Sequence, residues 1–94
     1  MIRSFKSKAL QRFWERNDAS QIRPDWIKRV TLVLSILEAA TEPKALDLPG
    51  LKFHALTGNL AGRFAVSVSG NWRITFAWED RDATDVDLED YHGR

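Results

Sequence analysis

The sequence predicts an α+β fold in which two N-terminal helices pack on one face of a small, mainly antiparallel β-sheet. Apolar residues recur every three or four positions up to about Ala40, as in amphipathic helices. After Pro49-Gly50 they alternate with polar residues, which is the periodicity of strands. At 94 residues, of which 44% are hydrophobic, the chain has apolar surface for one core. We therefore expect residues 1–94 to form a single domain.

The N-terminal half predicts a short edge strand followed by the two helices. Residues 2–5 suit the strand, and residues 6–16 suit a helix whose apolar stripe includes Leu10 and Phe13. Pro24 suits the first position of the second helix, because the N–H that it lacks is not needed there. This helix is expected to end before Pro43. Its core-facing stripe comprises Trp26, Val30, Val33, Leu34 and Leu37.

The C-terminal half predicts four strands. The first has Leu51, Phe53 and Ala55 on the apolar face, with Lys52, His54 and Leu56 opposite. The second runs from Phe64 to Ser69, and Gly70-Asn71 supplies a tight hairpin turn into the third. In the third strand the inward row is Trp72, Ile74, Phe76 and Trp78. A last strand carries Val86 and Leu88 inward, with Asp85, Asp87, Glu89 and Tyr91 opposite.

The second face of this sheet is predicted to be open and polar. Strand parity places His54, Arg73 and Tyr91 on it, although they are distant in sequence. Asp90 and His92 flank Tyr91 at the end of the last strand. The chain thus predicts a carboxylate, a phenol, an arginine and both of its histidines on or beside one sheet.

Such a set has the groups needed to cleave RNA without a metal. A histidine suits the transfer of a proton from the 2′-hydroxyl or to the leaving 5′-oxygen. The permanently charged fork of Arg73 suits a phosphate whose charge grows in the transition state. Asp90 would orient a histidine, act as the base or hold substrate, and Tyr91 would stack on a base or donate to the phosphate.

Each of these residues also has an ordinary structural explanation. His54 would be a surface histidine, and Arg73 a cross-strand partner of Asp85 or Asp87. The Asp90-Tyr91-His92 segment would be a solvated chain end. A metal site made from both histidines and nearby aspartates is a weaker alternative, because no HxH or HExxH spacing supports it. We therefore expect neither a metal nor a cofactor.

Composition excludes several other classes of protein. There is no cysteine, hence no disulfide and no thiol nucleophile. The P-loop, the dinucleotide glycine fingerprint and the GxSxG elbow are all absent from the sequence. The first ten residues lack the apolar region of a signal peptide, and the apolar stretch within residues 30–40 is too short to span a bilayer. We therefore expect a cytoplasmic protein without a membrane partner.

The charge is modest and unevenly distributed. Residues 1–47 contain nine Lys/Arg against six Asp/Glu, whereas residues 48–94 contain five against seven. This excess of positive charge is small for a protein that binds nucleic acid by itself. Another component is therefore expected to help hold any RNA. The basic residues Lys6, Lys8 and Arg12 would contact RNA phosphates; alternatively they belong to ordinary solvated helix faces.

Several segments resemble HigB toxins of the RelE/ParE superfamily over nearly the whole chain. They are the N-terminal MIRSF, the helix end LEAAT, the stretch FHALTG, the hairpin segment GNWRITF and the terminal EDYH. The combination of NWRITF with EDYH, in this order and at this chain length, is specific. The resemblance implies a RelE-like fold and a bacterial type II toxin.

By this resemblance the protein would be an endoribonuclease that cuts mRNA in the A site of the small ribosomal subunit during translation. Its partners would be the ribosome, mRNA and a HigA-like helix-turn-helix antitoxin, with operator DNA contacted only through that antitoxin. The implied cleavage residues are His54, Asp90, Tyr91 and His92, with Arg73 near the scissile phosphate. Asn71 would approach the codon, and Lys52 is a further candidate for RNA contact.

The chain departs from this family pattern at one informative position. Many relatives have His-Pro-Leu-Lys-Gly where this chain has His54-Ala55-Leu56-Thr57-Gly58, so a lysine suited to phosphate is missing. Arg94, beyond the EDYH motif, would replace that cation only in part, because a terminal residue is a poor anchor. The resemblance therefore implies weaker cleavage. Two alternatives remain, namely a non-catalytic superfamily toxin that binds a protein such as DNA gyrase, and a co-repressor acting with its antitoxin.

Overall fold

The computed structural model describes residues 1–91 and confirms the predicted α+β architecture. Two α-helices, α1 (Lys8–Arg16) and α2 (Ile27–Ala39), precede the four antiparallel strands. The strands are β1 (His54–Ala55), β2 (Arg63–Ser69), β3 (Trp72–Glu79) and β4 (Asp82–Asp90). They lie side by side in the order β1-β2-β3-β4. Short 3₁₀ turns cover Pro24–Trp26, Pro43–Leu46 and Gly58–Leu60.

Local chemistry explains the bounds of the helices. The Ser7 hydroxyl accepts a hydrogen bond from the Leu10 N–H at 3.1 Å, so α1 begins two residues after the predicted Lys6. It ends at Asn17, which adopts the left-handed conformation with φ 55°. Pro24, predicted as the first helical residue, instead opens a 3₁₀ turn that continues directly into α2. This helix ends at Ala39, one residue before the predicted range of Ala40 to Glu42.

The core lies between the helices and one face of the sheet. The helices contribute five fully buried side chains to it, namely Leu10 of α1 and Val30, Val33, Leu34 and Leu37 of α2. They join one cluster with the inward row of the sheet, namely Val66, Val68, Ile74, Phe76, Ala83 and Val86. This cluster supplies the hydrophobic stabilisation of the two layers.

The first strand is shorter than predicted. The sequence predicts alternation from Leu51, but Lys52 has φ +52° and interrupts the extended backbone, so β1 begins only at His54. Leu51 is still buried, and its carbonyl accepts a hydrogen bond from the Ser67 N–H at 2.7 Å. Ala55, predicted on the apolar face, is exposed.

The N-terminal segment also differs from the predicted edge strand. Ile2 and Phe5 make only isolated parallel bridges, to Ala83 and Val86 of β4. Within β4, the left-handed Asp85 (φ 50°) forms part of an irregularity where the register shifts between Thr75 and Ala77 of β3. The alternation predicted for β4 is therefore interrupted at Asp85. Asp87, Glu89 and Tyr91 still lie on the predicted polar face.

Candidate active site

The polar face of the sheet is organised by two cross-strand rows. In the first, His54 pairs with Ala65, which pairs with Thr75, which pairs with Asp87. The second row places Ser67, Arg73 and Glu89 side by side. Antiparallel register thus brings β1, β3 and β4 residues to one surface, as strand parity predicts.

This face is less open than the sequence predicts. Ala65 and Thr75 lie on it, yet both are 0% exposed. Two long side chains meet at Thr75, because Arg63 Nη2 donates to its Oγ1 at 3.0 Å and the same Oγ1 donates to a Glu89 carboxylate oxygen. The prediction of an open face is therefore wrong at its centre and holds only toward its margins.

Tyr91 contacts both His54 and Arg73. Its ring centroid is 6.5 Å from that of His54, in an edge-on arrangement. The guanidinium carbon of Arg73 lies 5.6 Å from the same ring centroid. A hydrogen bond of 2.8 Å from the Tyr91 N–H to the Asn71 carbonyl fixes the backbone beyond β4. These contacts confirm that the three predicted residues are neighbours.

Arg73 is turned toward the hairpin that precedes β3. Its Nη1 donates to the Gly70 carbonyl at 2.6 Å and to the Trp72 carbonyl at 3.1 Å. Within residues 1–91, its buried Nε has no hydrogen-bond partner. A phosphate oxygen would therefore have to approach the other N–H groups of the guanidinium, because the Nε itself is shielded from solvent.

His54 is exposed at the margin of the sheet. Its Nδ1 lies 3.1 Å from the Lys52 carbonyl, which itself belongs to the left-handed residue that interrupts the strand. Donation from Nδ1–H to this carbonyl leaves Nε2 with a lone pair that can accept a proton. The geometry thus suits His54 to the role of a general base.

Asn71 and Asp90 lie at the adjacent end of the sheet. Asp90 is opposite Trp72 in the register, and Asn71 is exposed in the turn between β2 and β3. Both line a cavity of about 290 Å³ together with Arg23 and Trp26. Asp90 is thus grouped with Asn71 rather than placed directly on the row of His54.

One part of this surface escaped the sequence-based prediction. Arg63, besides bonding Thr75, donates to the Asp85 carbonyl at 2.9 Å, so it ties β2 to the irregular part of β4. Arg63, Thr75 and Glu89 form a continuous hydrogen-bonded chain across β2, β3 and β4. The outward parity of Thr75 was the available signal, but nothing in the sequence indicated that it would be buried.

The predicted basic residues of the helical layer occupy a different surface. Lys6, Lys8 and Arg12 are exposed, and α1 packs on the apolar side of the sheet. Lys8 and Arg12 line a shallow cavity of about 190 Å³ with Gln11, Glu15 and Arg16. Any RNA contact that they make would therefore be separate from the cluster around Arg73.

His92, predicted as a catalytic residue, lies outside the described residues. Among residues 1–91 there is no group of three or more His, Cys, Asp or Glu side chains that could hold a metal ion. In the same part of the chain, no helix is both long enough and apolar enough to cross a membrane.

Comparison with known proteins places this surface in context. A family model described as the RelE-like toxin of type II toxin-antitoxin system HigB matches residues 3–92. The chain is 36% identical to "Endoribonuclease HigB" of Proteus vulgaris over 92 residues, or 98% of this chain and 100% of that protein. It is 33% identical to "Toxin HigB-1" of Vibrio cholerae serotype O1 over 91 residues, or 95% of this chain and 96% of that protein.

Proposed function

The chain belongs to the HigB family of RelE-like toxins from type II toxin–antitoxin systems, and we propose that it is a ribosome-dependent endoribonuclease. It would cut mRNA in the ribosomal A site without a metal ion and so arrest translation and growth. The relative from Proteus vulgaris is named as an endoribonuclease, which supports this activity for the present chain.

The observation that carries the proposal is the grouping of His54, Arg73 and Tyr91 on one face of the sheet. A toxin that inhibits only by binding a protein does not need a proton-transfer group beside an arginine donor. His54 and Arg73 lie 6.5 Å and 5.6 Å from the Tyr91 ring centroid, so both are close to the same side chain. A phosphodiester placed over Tyr91 would be within reach of both groups.

The proposed reaction uses the substrate's own 2′-hydroxyl as nucleophile. The base removes its proton, the 2′-oxygen forms a bond to the adjacent phosphorus, and the bond from phosphorus to the 5′-oxygen breaks. An acid gives a proton to the leaving oxygen, so the products are a 2′,3′-cyclic phosphate and a 5′-hydroxyl. His54 and His92 are the proton-transfer candidates, and His54, which is exposed and has its Nδ1 beside the Lys52 carbonyl, suits the role of base.

Arg73 would stabilise the charge that grows on the non-bridging phosphate oxygens. Nη1 already donates to the Gly70 and Trp72 carbonyls and Nε is buried, so this contact would fall to the other N–H groups of the guanidinium. Tyr91 would orient the phosphate or stack on a neighbouring base, and Asp90 would position a histidine or the substrate. Asn71 and Lys52, both exposed, would contact the RNA on either side.

The low net charge of +1 is consistent with a toxin that relies on the ribosome to hold its substrate. A ribosome that already holds the mRNA removes the need for strong electrostatic capture by the toxin itself. Lys6, Lys8 and Arg12 on the helical layer would then contact ribosomal RNA, at a surface distinct from that of the cleavage site.

A type II toxin is paired with an antitoxin. We propose that this partner is a HigA-like helix-turn-helix protein encoded next to the toxin. Operator DNA would be contacted through the antitoxin, and the toxin would modulate repression only within that complex. We expect a helix-turn-helix gene next to the toxin gene, and we expect its protein product to co-purify with this chain.

The decisive experiment compares Arg73→Ala with Arg81→Ala. Arg81 is exposed in the turn between β3 and β4, at the far end of the hairpin, and its loss makes the same change in net charge. We expect Arg73→Ala to lower mRNA cleavage roughly a hundredfold or more, because it removes a transition-state donor, while Arg81→Ala cleaves normally. Primer extension after induction reports the cleavage, and co-purification with the antitoxin reports the fold.

Three results would contradict the proposal. Full toxicity of both Arg73→Ala and His92→Ala would show that the site is wrong. Native protein that arrests growth without new mRNA 5′ ends would not be a nuclease. DNA-damage signalling in place of cleavage would favour inhibition of a protein such as DNA gyrase.

A further inference from the structure

Lys52 has an unusual backbone conformation for a residue with a long side chain. Its φ is +52°, in the left-handed region. Among residues 1–91, the other non-glycine residues with positive φ are Asn17, Asp80 and Asp85, whose short polar side chains favour this region. Lys52 therefore lacks the chemistry that explains the other three. Backbone outliers of this kind persist where the surrounding structure holds them, and they are concentrated at functional sites.

The residues on both sides of Lys52 are fixed by contacts with the rest of the protein. Leu51 is 2% exposed, and its carbonyl accepts a hydrogen bond from the Ser67 N–H at 2.7 Å. Phe53 stacks on Phe64, with 5.7 Å between the ring centroids. Lys52 thus joins two anchored residues, so the surrounding structure holds its left-handed conformation.

The Lys52 carbonyl lies beside the His54 ring and determines which ring nitrogen carries the proton. The carbonyl oxygen is 3.1 Å from His54 Nδ1. A carbonyl oxygen accepts hydrogen bonds and cannot donate them, so this contact is a hydrogen bond only when Nδ1 carries the proton. A neutral ring in this tautomer keeps its lone pair on Nε2. A base that takes a proton through Nε2 needs this tautomer.

The direction of this carbonyl depends on the backbone of Lys52 and not on its ammonium group. In a regular strand the carbonyls point along the sheet toward neighbouring strands, whereas the side chains stand roughly perpendicular to it. The carbonyl of an extended residue 52 would therefore point away from the side chain of residue 54. Lys52 lies just outside β1, and its left-handed turn brings the carbonyl to the His54 ring instead.

We propose that Lys52 is a positioning residue whose left-handed backbone holds His54 in the tautomer of a general base. This role is independent of any contact that the Lys52 ammonium group makes with RNA. The proposal rests on the proposed nuclease function and adds to it a residue that acts through His54. Substitutions that accept the left-handed conformation should preserve the role, and a β-branched residue should abolish it.

The rate of cleavage separates the backbone of Lys52 from its charge when Lys52→Asn is compared with Lys52→Val. Both changes remove the positive charge, so both should raise the half-saturating ribosome concentration to the same degree. Only asparagine adopts the left-handed conformation readily. With saturating ribosomes, Lys52→Val should cut mRNA roughly tenfold or more slowly than Lys52→Asn, since general base catalysis contributes roughly 10²- to 10⁴-fold. Lys52→Gly should cut like Lys52→Asn.

Nitrogen NMR of the imidazole rings tests the positioning of His54 without the ribosome. The chain has two histidines, so His54→Ala assigns the signals. In alkaline buffer, native protein and Lys52→Asn should show His54 protonated on Nδ1. In Lys52→Val the proton should be distributed over both nitrogens, because the carbonyl no longer faces the ring. A purely structural role for Lys52 would leave this signature unchanged.

Each contrary outcome has a distinct meaning. A native protein that makes no new mRNA 5′ ends would overturn the nuclease function, whatever the tautomer of His54. Normal cleavage by native protein with equal rates for Lys52→Asn and Lys52→Val would overturn the positioning role alone. A native His54 ring protonated on Nε2 would also overturn it. This last measurement needs no substitution at Lys52, so it decides the question even if Lys52→Val does not fold.

Discussion

At the scale of single residues, Thr75 is a buried polar side chain that links three strands of the sheet by hydrogen bonds. It is fully buried, accepts from Arg63 and donates to Glu89, so its hydroxyl joins three strands. Glu89 in turn stands beside Arg73 in the sheet register. The hydroxyl therefore ties together the strands that carry Arg73 and Glu89.

Replacement of this hydroxyl should destabilise the fold. Thr75→Val keeps the shape but leaves Arg63 and Glu89 without a shared partner, so we expect the free energy of unfolding to fall by about 1–3 kcal/mol. Thr75→Ser keeps the hydroxyl and is the matched control, with a smaller loss. Urea denaturation measures both variants. Equal stability of Val and Ser at this position would contradict the role of the hydrogen bonds.

Thr57 is the residue at which the chain departs from the family pattern. It is exposed, three residues after His54, at the start of the 3₁₀ turn Gly58–Leu60. Thr57→Lys should raise the rate of mRNA cleavage by roughly ten- to a hundredfold, because a charge-assisted contact to phosphate adds about 1.5–3 kcal/mol. Thr57→Gln, of similar reach but uncharged, is the control. Equal rates for Lys, Gln and native protein would exclude a phosphate at this position.

At the scale of elements, α1 depends on its N-terminal cap. Ser7 satisfies the Leu10 N–H, and Leu10 is the one fully buried residue of this nine-residue helix. The cap therefore sets where α1 begins and holds its only deep core contact in place.

Ser7→Ala should lower the free energy of unfolding by about 1 kcal/mol, because the capping bond is lost. Ser35→Ala on the exposed face of α2 is the matched control and should cost nothing, since alanine favours the helix. Thermal or urea unfolding compares them. A Ser7→Ala variant no less stable than Ser35→Ala would show that the cap contributes nothing.

At the scale of the whole molecule, the N-terminus is tied to the opposite end of the sequence by charge. Arg3 donates to Asp82 at 2.7 Å and lies 3.2 Å from Glu79, and the N-terminal amine is 3.4 Å from Asp82. Hydrogen bonding by Arg3 lowers the pKa of Asp82 below its ordinary value. Folding stability is thereby linked to pH.

The direction of this linkage follows from the lowered pKa. The stabilisation is complete above the unfolded aspartate pKa of about 3.9, and it is lost as the pH falls through the lower pKa of the folded state. Native protein should therefore lose stability more steeply on acidification than Asp82→Asn does. Urea midpoints at about pH 6 and about pH 3 measure this difference. Equal losses of stability in the two proteins would contradict a role for Asp82. Asp18, whose pKa is lowered by its hydrogen bond with Ser20, would then be the next residue to replace.

The sequence alone was sufficient for the layer arrangement and for most of the polar face. Periodicity separates the helices from the strands, and strand parity places His54, Arg73 and Tyr91 on one side, because both depend only on local backbone geometry. The NWRITF and EDYH motifs likewise indicated the family to which the chain belongs.

Only the tertiary structure decided how the strands are paired and what covers their polar face. The left-handed Lys52 and Asp85 shorten β1 and interrupt the alternation of β4, and parity arguments cannot detect such positions. The burial of Thr75 depends on partners distant in sequence. The tertiary structure decides these features because contacts between distant residues follow from the register of the sheet and the packing of the layers, neither of which a local pattern encodes.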